Sequence, residues 1–407
     1  MIKKMLLGIF LIVSLVFITA CGGYEEEIAP IEFTYEQMQM LELAREDFEF
    51  LVELLEGNFP FFGIAYRREG HDIHEFFDAI WSDIEQAIAN DNITDIESLI
   101  YSMDTIFYYY FEEQLVLAHL TVFPDQERSW FDFGLHEFQA EEEIRIFEAS
   151  IIEEDKIAYI NFWSFASSDM RRIESETRNE LFSFLYQVQN YEHLIIDIRG
   201  NTGGHNPLAL EAFILPNLSE AFESHYFGFF INSPLSENLV QRLHVTRHDV
   251  PLFNTLSSAI EFHPAQEIVE TYELRYMNQE DLGVLDYAVK LRTNLHPANT
   301  EYAFGGQIWL LVNERNFSAA EQFAHVAKIT GTMTLVGTTT GGSLAGQGVL
   351  IARVALPNTQ SVAHFDTVYI TDTYGRALEE FRTTPHYFNR EGMDALETVL
   401  AMIDEMR

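Results

Sequence analysis

The stretch His193-Leu194-Ile195-Ile196-Asp197-Ile198, followed by Arg199-Gly200-Asn201-Thr202-Gly203-Gly204, decides the fold class. Its first half is apolar enough for a strand buried on both faces. Its glycines permit a tight turn that leaves backbone N–H groups facing a ligand. Upstream, Ile157-Ala158-Tyr159-Ile160-Asn161-Phe162 reads as a second strand, and a helical pattern from about Glu174 to Asn190 separates the two. Strand, helix and buried strand in that order predict an α/β fold around a parallel sheet. The order recurs with Ile308–Val312, a helix from Ser318 to Lys328, and Met333–Val336. Between the two units, residues 216–305 show no clean period and are expected to form a surface insertion that contacts substrate.

Toward the N-terminus the period changes to helical. Leu41, Leu43, Phe48, Leu51, Val52 and Leu55 predict a helix from Tyr35 to Glu56, and a second fits Asp72 to Asn90. Thr94 and Glu97 form a capping box for a third, which runs into the aromatic stretch Tyr108–Phe111, read as core. Residues 36–120 therefore read as a helical domain and 121–407 as the α/β domain. At the very start, Lys3 and Lys4 precede an apolar run that ends at Ala20-Cys21-Gly22-Gly23. This is the pattern of an export leader over residues 1–20, with Cys21 placed for lipidation and residues 21–35 as an acidic tether. The expected location is extracytoplasmic, held to a membrane through Cys21.

The 407 residues carry 64 Asp and Glu against 24 Lys and Arg, a net charge of −40, and one cysteine. A disulfide framework is excluded, and so large an acidic excess without any basic block argues against nucleic acid as partner. No cofactor or metal is expected. His71, His74 and Glu75 share helical spacing, but a solvated helix face accounts for them.

Two turns carry candidate chemistry. Arg199–Gly204 matches neither a dinucleotide fingerprint nor a P-loop. Asn316-Phe317-Ser318-Ala319-Ala320-Glu321 places a serine at a strand-to-helix junction, where helix N–H groups and the dipole favour an oxyanion. Ser318 and Glu321 equally fit a capping box in which the serine only caps the helix. Residue chemistry alone leaves both readings open.

Taken together, Ile157–Phe165, Leu194–Gly204, Leu311–Glu321 and Gly375–Pro385 resemble, in that order, the motifs of the tail-specific or C-terminal processing proteases, a family that includes the tricorn proteases. The resemblance implies a serine peptidase with a ClpP/crotonase-like α/β core, acting on unfolded polypeptides or peptides. It implies Ser318 as nucleophile and an oxyanion hole from Gly203, Gly204 and Ala319. The chain departs from the family's Ser–Lys branch: where that branch has its lysine, this sequence reads Thr340-Gly341-Gly342-Ser343. Lys328 lies about 15 Å from Ser318 along the helix and does not substitute. The tricorn-like branch uses His and Glu, and its pattern falls on His119 as base, with Ala118 where that branch has a serine, and on Glu379 as orienting acid. His205 is the rival base and Glu380 the rival acid; His325, seven residues along the helix from Ser318, is expected to be structural. The link from His119 to Ile157 is too short for a PDZ domain. A catalytically inactive peptide-binding lipoprotein of the same fold is the competing expectation, and an esterase using the same site a third.

Overall fold

The computed structural model describes residues 33–90, 93–115, 117–123, 146–165, 170–204, 206–243, 262–343 and 351–407. The expected leader, Cys21, the expected tether up to residue 32 and His205 lie outside the described residues.

Helices α1 (Tyr35–Asn58), α2 (Phe62–Glu69), α3 (Ile73–Asn90) and α4 (Ile96–Phe107) open the chain, and α4 continues as a π-helical segment, Tyr108–Leu115. Helix α1 starts on a capping box of Thr34 and Gln37, and buries Ala44, Phe48, Leu51 and Leu55 as one stripe. Helix α4 is capped by Asp95, whose side chain accepts from the Ser98 amide at 2.9 Å, rather than by Thr94. Asp95 holds the extended backbone that a cap requires, so the helix starts one residue later than the Thr94–Glu97 box predicts. The aromatic run is core only in part: Phe111 is buried, whereas Tyr108 and Tyr109 are 45% and 40% exposed. Four successive helical residues point around the whole circumference, so they cannot all face inward.

Strand β1 (Thr121–Phe123) follows, then β2 (Glu148–Glu153), β3 (Ile157–Asn161), α5 (Met170–Val188) and β4 (His193–Asp197). Next come β5 (Phe222–Phe230), α6 (Pro234–Leu243), β6 (His263–Pro264), α7 (Ala265–Thr271) and β7 (Tyr287–Leu295). The chain ends with β8 (Gln307–Val312), α8 (Ala319–Thr330), β9 (Thr334–Gly337), β10 (Ile351–Ala355), β11 (Val362–Asp366), β12 (Tyr369–Thr371), α9 (Leu378–Phe381), β13 (Tyr387–Phe388) and α10 (Ala395–Met406).

The central sheet has the order β13-β9-β8-β4-β3-β2, parallel except for β2. Both predicted strand–helix–strand units therefore lie side by side in one sheet. Residues 216–305 separate β4 from β8 along the chain, although the two strands are neighbours in the sheet, and their described part is not simply loop. They supply three strands of an antiparallel sheet, β12-β5-β7-β6, with Phe227, Phe229, Ala288 and Val289 buried. A third sheet, β1-β11-β10, is also antiparallel. The N-terminal helices share one apolar core with these sheets: Phe61 stacks on Tyr369 at 5.9 Å and Phe59 meets Phe365 edge-on at 6.2 Å.

Candidate active site

The carboxyl ends of β4 and β8 are tied by amide side chains. Buried Asn316 accepts from the Asn313 amide at 2.7 Å and donates to the carbonyls of Ile198 and Asn201. Asn201 in turn donates to the Phe162 carbonyl at 2.9 Å, which ties in the end of β3. The charged residues of the first motif are structural. Arg199 pairs with Asp197 and reaches Asp394, and the Tyr159 hydroxyl donates to Asp197 at 2.8 Å.

At position 203 the backbone has φ +108°, and a Cβ there would lie 2.7 Å from the Phe317 carbonyl oxygen and 2.9 Å from both the Ala319 nitrogen and the Ser318 Cβ. Only glycine lets this turn approach the start of α8 so closely. The Gly203 amide is engaged by the Asn201 side-chain oxygen at 2.9 Å. Of the three expected oxyanion donors, this leaves Gly204 and Ala319, whose amides no hydrogen bond occupies among the described residues.

Ser318 has φ 55° and ψ −120°, and its hydroxyl makes no capping bond. Glu321, the other half of the supposed capping box, accepts instead from the Thr383 hydroxyl at 2.6 Å. The capping account of Ser318 is therefore replaced: the serine sits in a backbone conformation costly for a non-glycine residue, with its amide donating to the Gly342 carbonyl at 3.0 Å.

His119 reaches the same place from the other half of the chain. It lies in a turn closed by the Leu120 amide on the Leu117 carbonyl, with Ala118 and His119 both at positive φ. Thr121 pairs with His364, so the same antiparallel register continued two residues sets His119 opposite Asp366. The Asp366 Oδ2 is 3.0 Å from His119 Nδ1, and both residues are buried. The carboxylate fixes the proton on Nδ1 and leaves Nε2 as the basic nitrogen. Burial pushes the Asp366 carboxyl above the usual range, while His119 and Ser343 pull it the other way. Phe317, adjacent to Ser318, packs edge-on against the imidazole at 5.1 Å. The Ser343 hydroxyl lies 2.9 Å from His119 Nδ1. A hydroxyl thus meets the ring from the position where the Ser–Lys branch has its lysine.

Glu379 is buried beside this group but does not bond the imidazole. Its carboxylate accepts from the Ser343 amide at 2.6 Å, lies 3.4 Å from the Ala118 amide and pairs with Arg68 at 3.3 Å. The carboxylate on the ring is Asp366, which the motif reading missed. The available signal was an acid closing the apolar strand Val362-Ala363-His364-Phe365-Asp366. The rival Glu380 pairs with Arg67, which also binds Asp281. Half-buried His325 meets the Tyr226 hydroxyl at 3.1 Å, and desolvation of the imidazole pushes its pKa down to about 4. Among the described residues eight non-glycine residues have positive φ, and five of them, Ala118, His119, Ser318, Ser343 and Arg382, surround this cluster. Strain is thus concentrated where the polar groups converge.

Glu321 gives a testable pH dependence. Burial raises its pKa from 4.5 to about 7, against the hydrogen bonds it accepts. A carboxyl that binds its proton more tightly when folded favours the native state below pH 4.5, and that advantage fades as the pH rises through 7. Glu321→Gln removes the titration. Urea denaturation at pH 4 and pH 8 should show the variant gaining about 3 kcal/mol on the wild type across that range, whereas parallel stability curves would show that Glu321 does not titrate there.

The sequence profile of Peptidase family S41 matches residues 156–387. The chain belongs to peptidase family S41. This S41 member is a serine-type peptidase, and its α/β core with an N-terminal helical region is the one expected; no PDZ domain stands among its described residues. No curated protein matches the sequence. Among solved structures, a putative peptidase from Parabacteroides merdae ATCC 43184 is 16% identical with TM-score 0.53, aligned over 89% of this chain and 96% of that one. Mature CPAF complexed with lactacystin is 12% identical with TM-score 0.55, over 90% and 98%. At these identities the likeness is one of fold.

Proposed function

We propose that this S41 peptidase cleaves unfolded polypeptides or peptides with Ser318 as nucleophile and His119 as base. The Ser318 oxygen attacks the peptide carbonyl while His119 Nε2 takes its proton. Asp366 balances the imidazolium through Nδ1. The amides of Gly204 and Ala319, the latter at the positive end of α8, hold the oxyanion. His119 then returns the proton to the leaving amine as the carbon–nitrogen bond breaks, and water hydrolyses the acyl-serine by the reverse proton route. We further propose export and a membrane anchor through lipidated Cys21. The observation that carries the catalytic reading is the strained, uncapped Ser318, whose neighbour Phe317 packs on a buried histidine whose Nδ1 is held by a carboxylate.

A fluorophosphonate probe tests this without knowledge of the natural substrate, because it phosphonylates only an activated serine. Incubated with the full chain and mapped by mass spectrometry, the label should fall on Ser318, and His119→Ala should abolish it. A label on another serine would overturn the assignment. No label on a folded chain would favour the peptide-binding lipoprotein.

A further inference from the structure

We propose that Arg68, on α2 of the N-terminal helical region, is a positioning residue of the peptidase centre, acting through Glu379 on the two backbone segments that grip His119. The proposal rests on the Ser318–His119 reading above. Glu379 spans a gap in that centre. One of its oxygens accepts from the Ser343 amide at 2.6 Å, and Ser343 places its hydroxyl 2.9 Å from His119 Nδ1. The other oxygen faces the amide of Ala118, the residue before His119, at 3.4 Å. One carboxylate therefore joins the segment carrying the histidine to the segment carrying the hydroxyl that touches it. Only the ionised form offers both oxygens purely as acceptors.

Its surroundings oppose that ionised form. Glu379 is 3% exposed, and burial raises its proton affinity, as does Asp366 on β11. Glu321 on α8 is a further buried acid whose proton affinity Glu379 raises. Two positive groups from outside the centre face this set. Arg382, just after α9, lies beside Gly342 without a hydrogen bond to the Glu379 carboxylate, whereas Arg68 bonds both the Glu379 carboxylate and its backbone carbonyl at 3.3 Å. His119 is the remaining titratable group and pulls Glu379 toward ionisation. The Arg68 side chain is 7% exposed and its second nitrogen pairs with Glu69, so its charge is held in place and poorly screened by water. Without that charge Glu379 keeps a proton, one of its oxygens becomes a donor, and the tie between the Ala118 and Ser343 segments that position His119 is lost.

The test follows fluorophosphonate labelling of Ser318 against pH, resolved into its maximal rate and half-saturating concentration. Arg68→Met should lower the maximal rate at least about tenfold, leave half-saturation within about threefold, and displace the acidic limb to higher pH by about one unit. Arg68→Lys should recover most of the rate. In a Glu379→Gln background Arg68→Met should add less than about twofold, because the charge it serves is gone. An equal loss in both backgrounds, or an undisplaced limb in folded Arg68→Met, would overturn the proposal. Arg68→Gln serves if the Met variant does not fold. Ser318→Ala separates the two claims: persistent labelling there would sink the whole centre, whereas abolished labelling with an unaffected Arg68→Met sinks this proposal alone.

Discussion

Ser318→Ala should lower cleavage of an unfolded polypeptide by about ten-thousand-fold or more while leaving the urea midpoint unchanged. The size follows from the chemistry, since the proposed acyl intermediate forms on the Ser318 oxygen, and residual turnover would reflect only the oxyanion donors and binding. The unchanged stability follows from the backbone. At φ 55° and ψ −120° the strain belongs to the Cβ, which alanine keeps, and the hydroxyl caps nothing. A large drop in stability would show that the hydroxyl holds the turn together. Retained cleavage would show that another nucleophile operates.

The second large effect belongs to Asp366→Asn, expected to reduce the maximal rate by about a thousandfold at neutral pH, with recovery as the pH is raised. An asparagine amide can donate to Nδ1, which transfers the ring proton to Nε2 and leaves no basic nitrogen for Ser318. The Ser343 hydroxyl, 2.9 Å from the same Nδ1, can still accept from it and so preserves part of the correct tautomer. For that reason Asp366→Asn combined with Ser343→Ala should fall further than either change alone. Rate measurements from pH 6 to pH 10 decide the matter: a loss below threefold throughout would remove Asp366 from the proton path and return Glu379 as the candidate.

The parallel core was legible because its strands are buried on both faces and their apolar runs end in glycine or asparagine turns, as at Ile198–Gly204 and Val312–Ser318. The antiparallel sheet within 216–305 was less so. In β7 buried Val289, Leu291, Thr293 and Leu295 alternate with exposed Lys290 and Arg292, but β5 ends in five consecutive buried residues, Tyr226 to Phe230, that hide the alternation. In the candidate site, residues inside ordered motifs could be read from their neighbours, whereas Asp366 and Ser343 become partners of His119 only through strand register and turn packing. Those contacts link residues more than two hundred positions apart and leave no local pattern. Glu379 shows the complementary limit: a motif locates a carboxylate near the centre without saying which group it holds.

The convergence of α2, the turn before β1, the start of α8, β11 and α9 on one place has a bearing on how the protein is made. A nascent chain that has emerged only as far as Ser318 has its histidine but neither Asp366 to orient it nor Glu379 to tie its turn. Even a chain complete through β11 still lacks the clamp. The proposed catalytic cluster first exists when residue 379 is free to fold back onto Arg68, so translation itself holds back its assembly until the chain has been made past that residue.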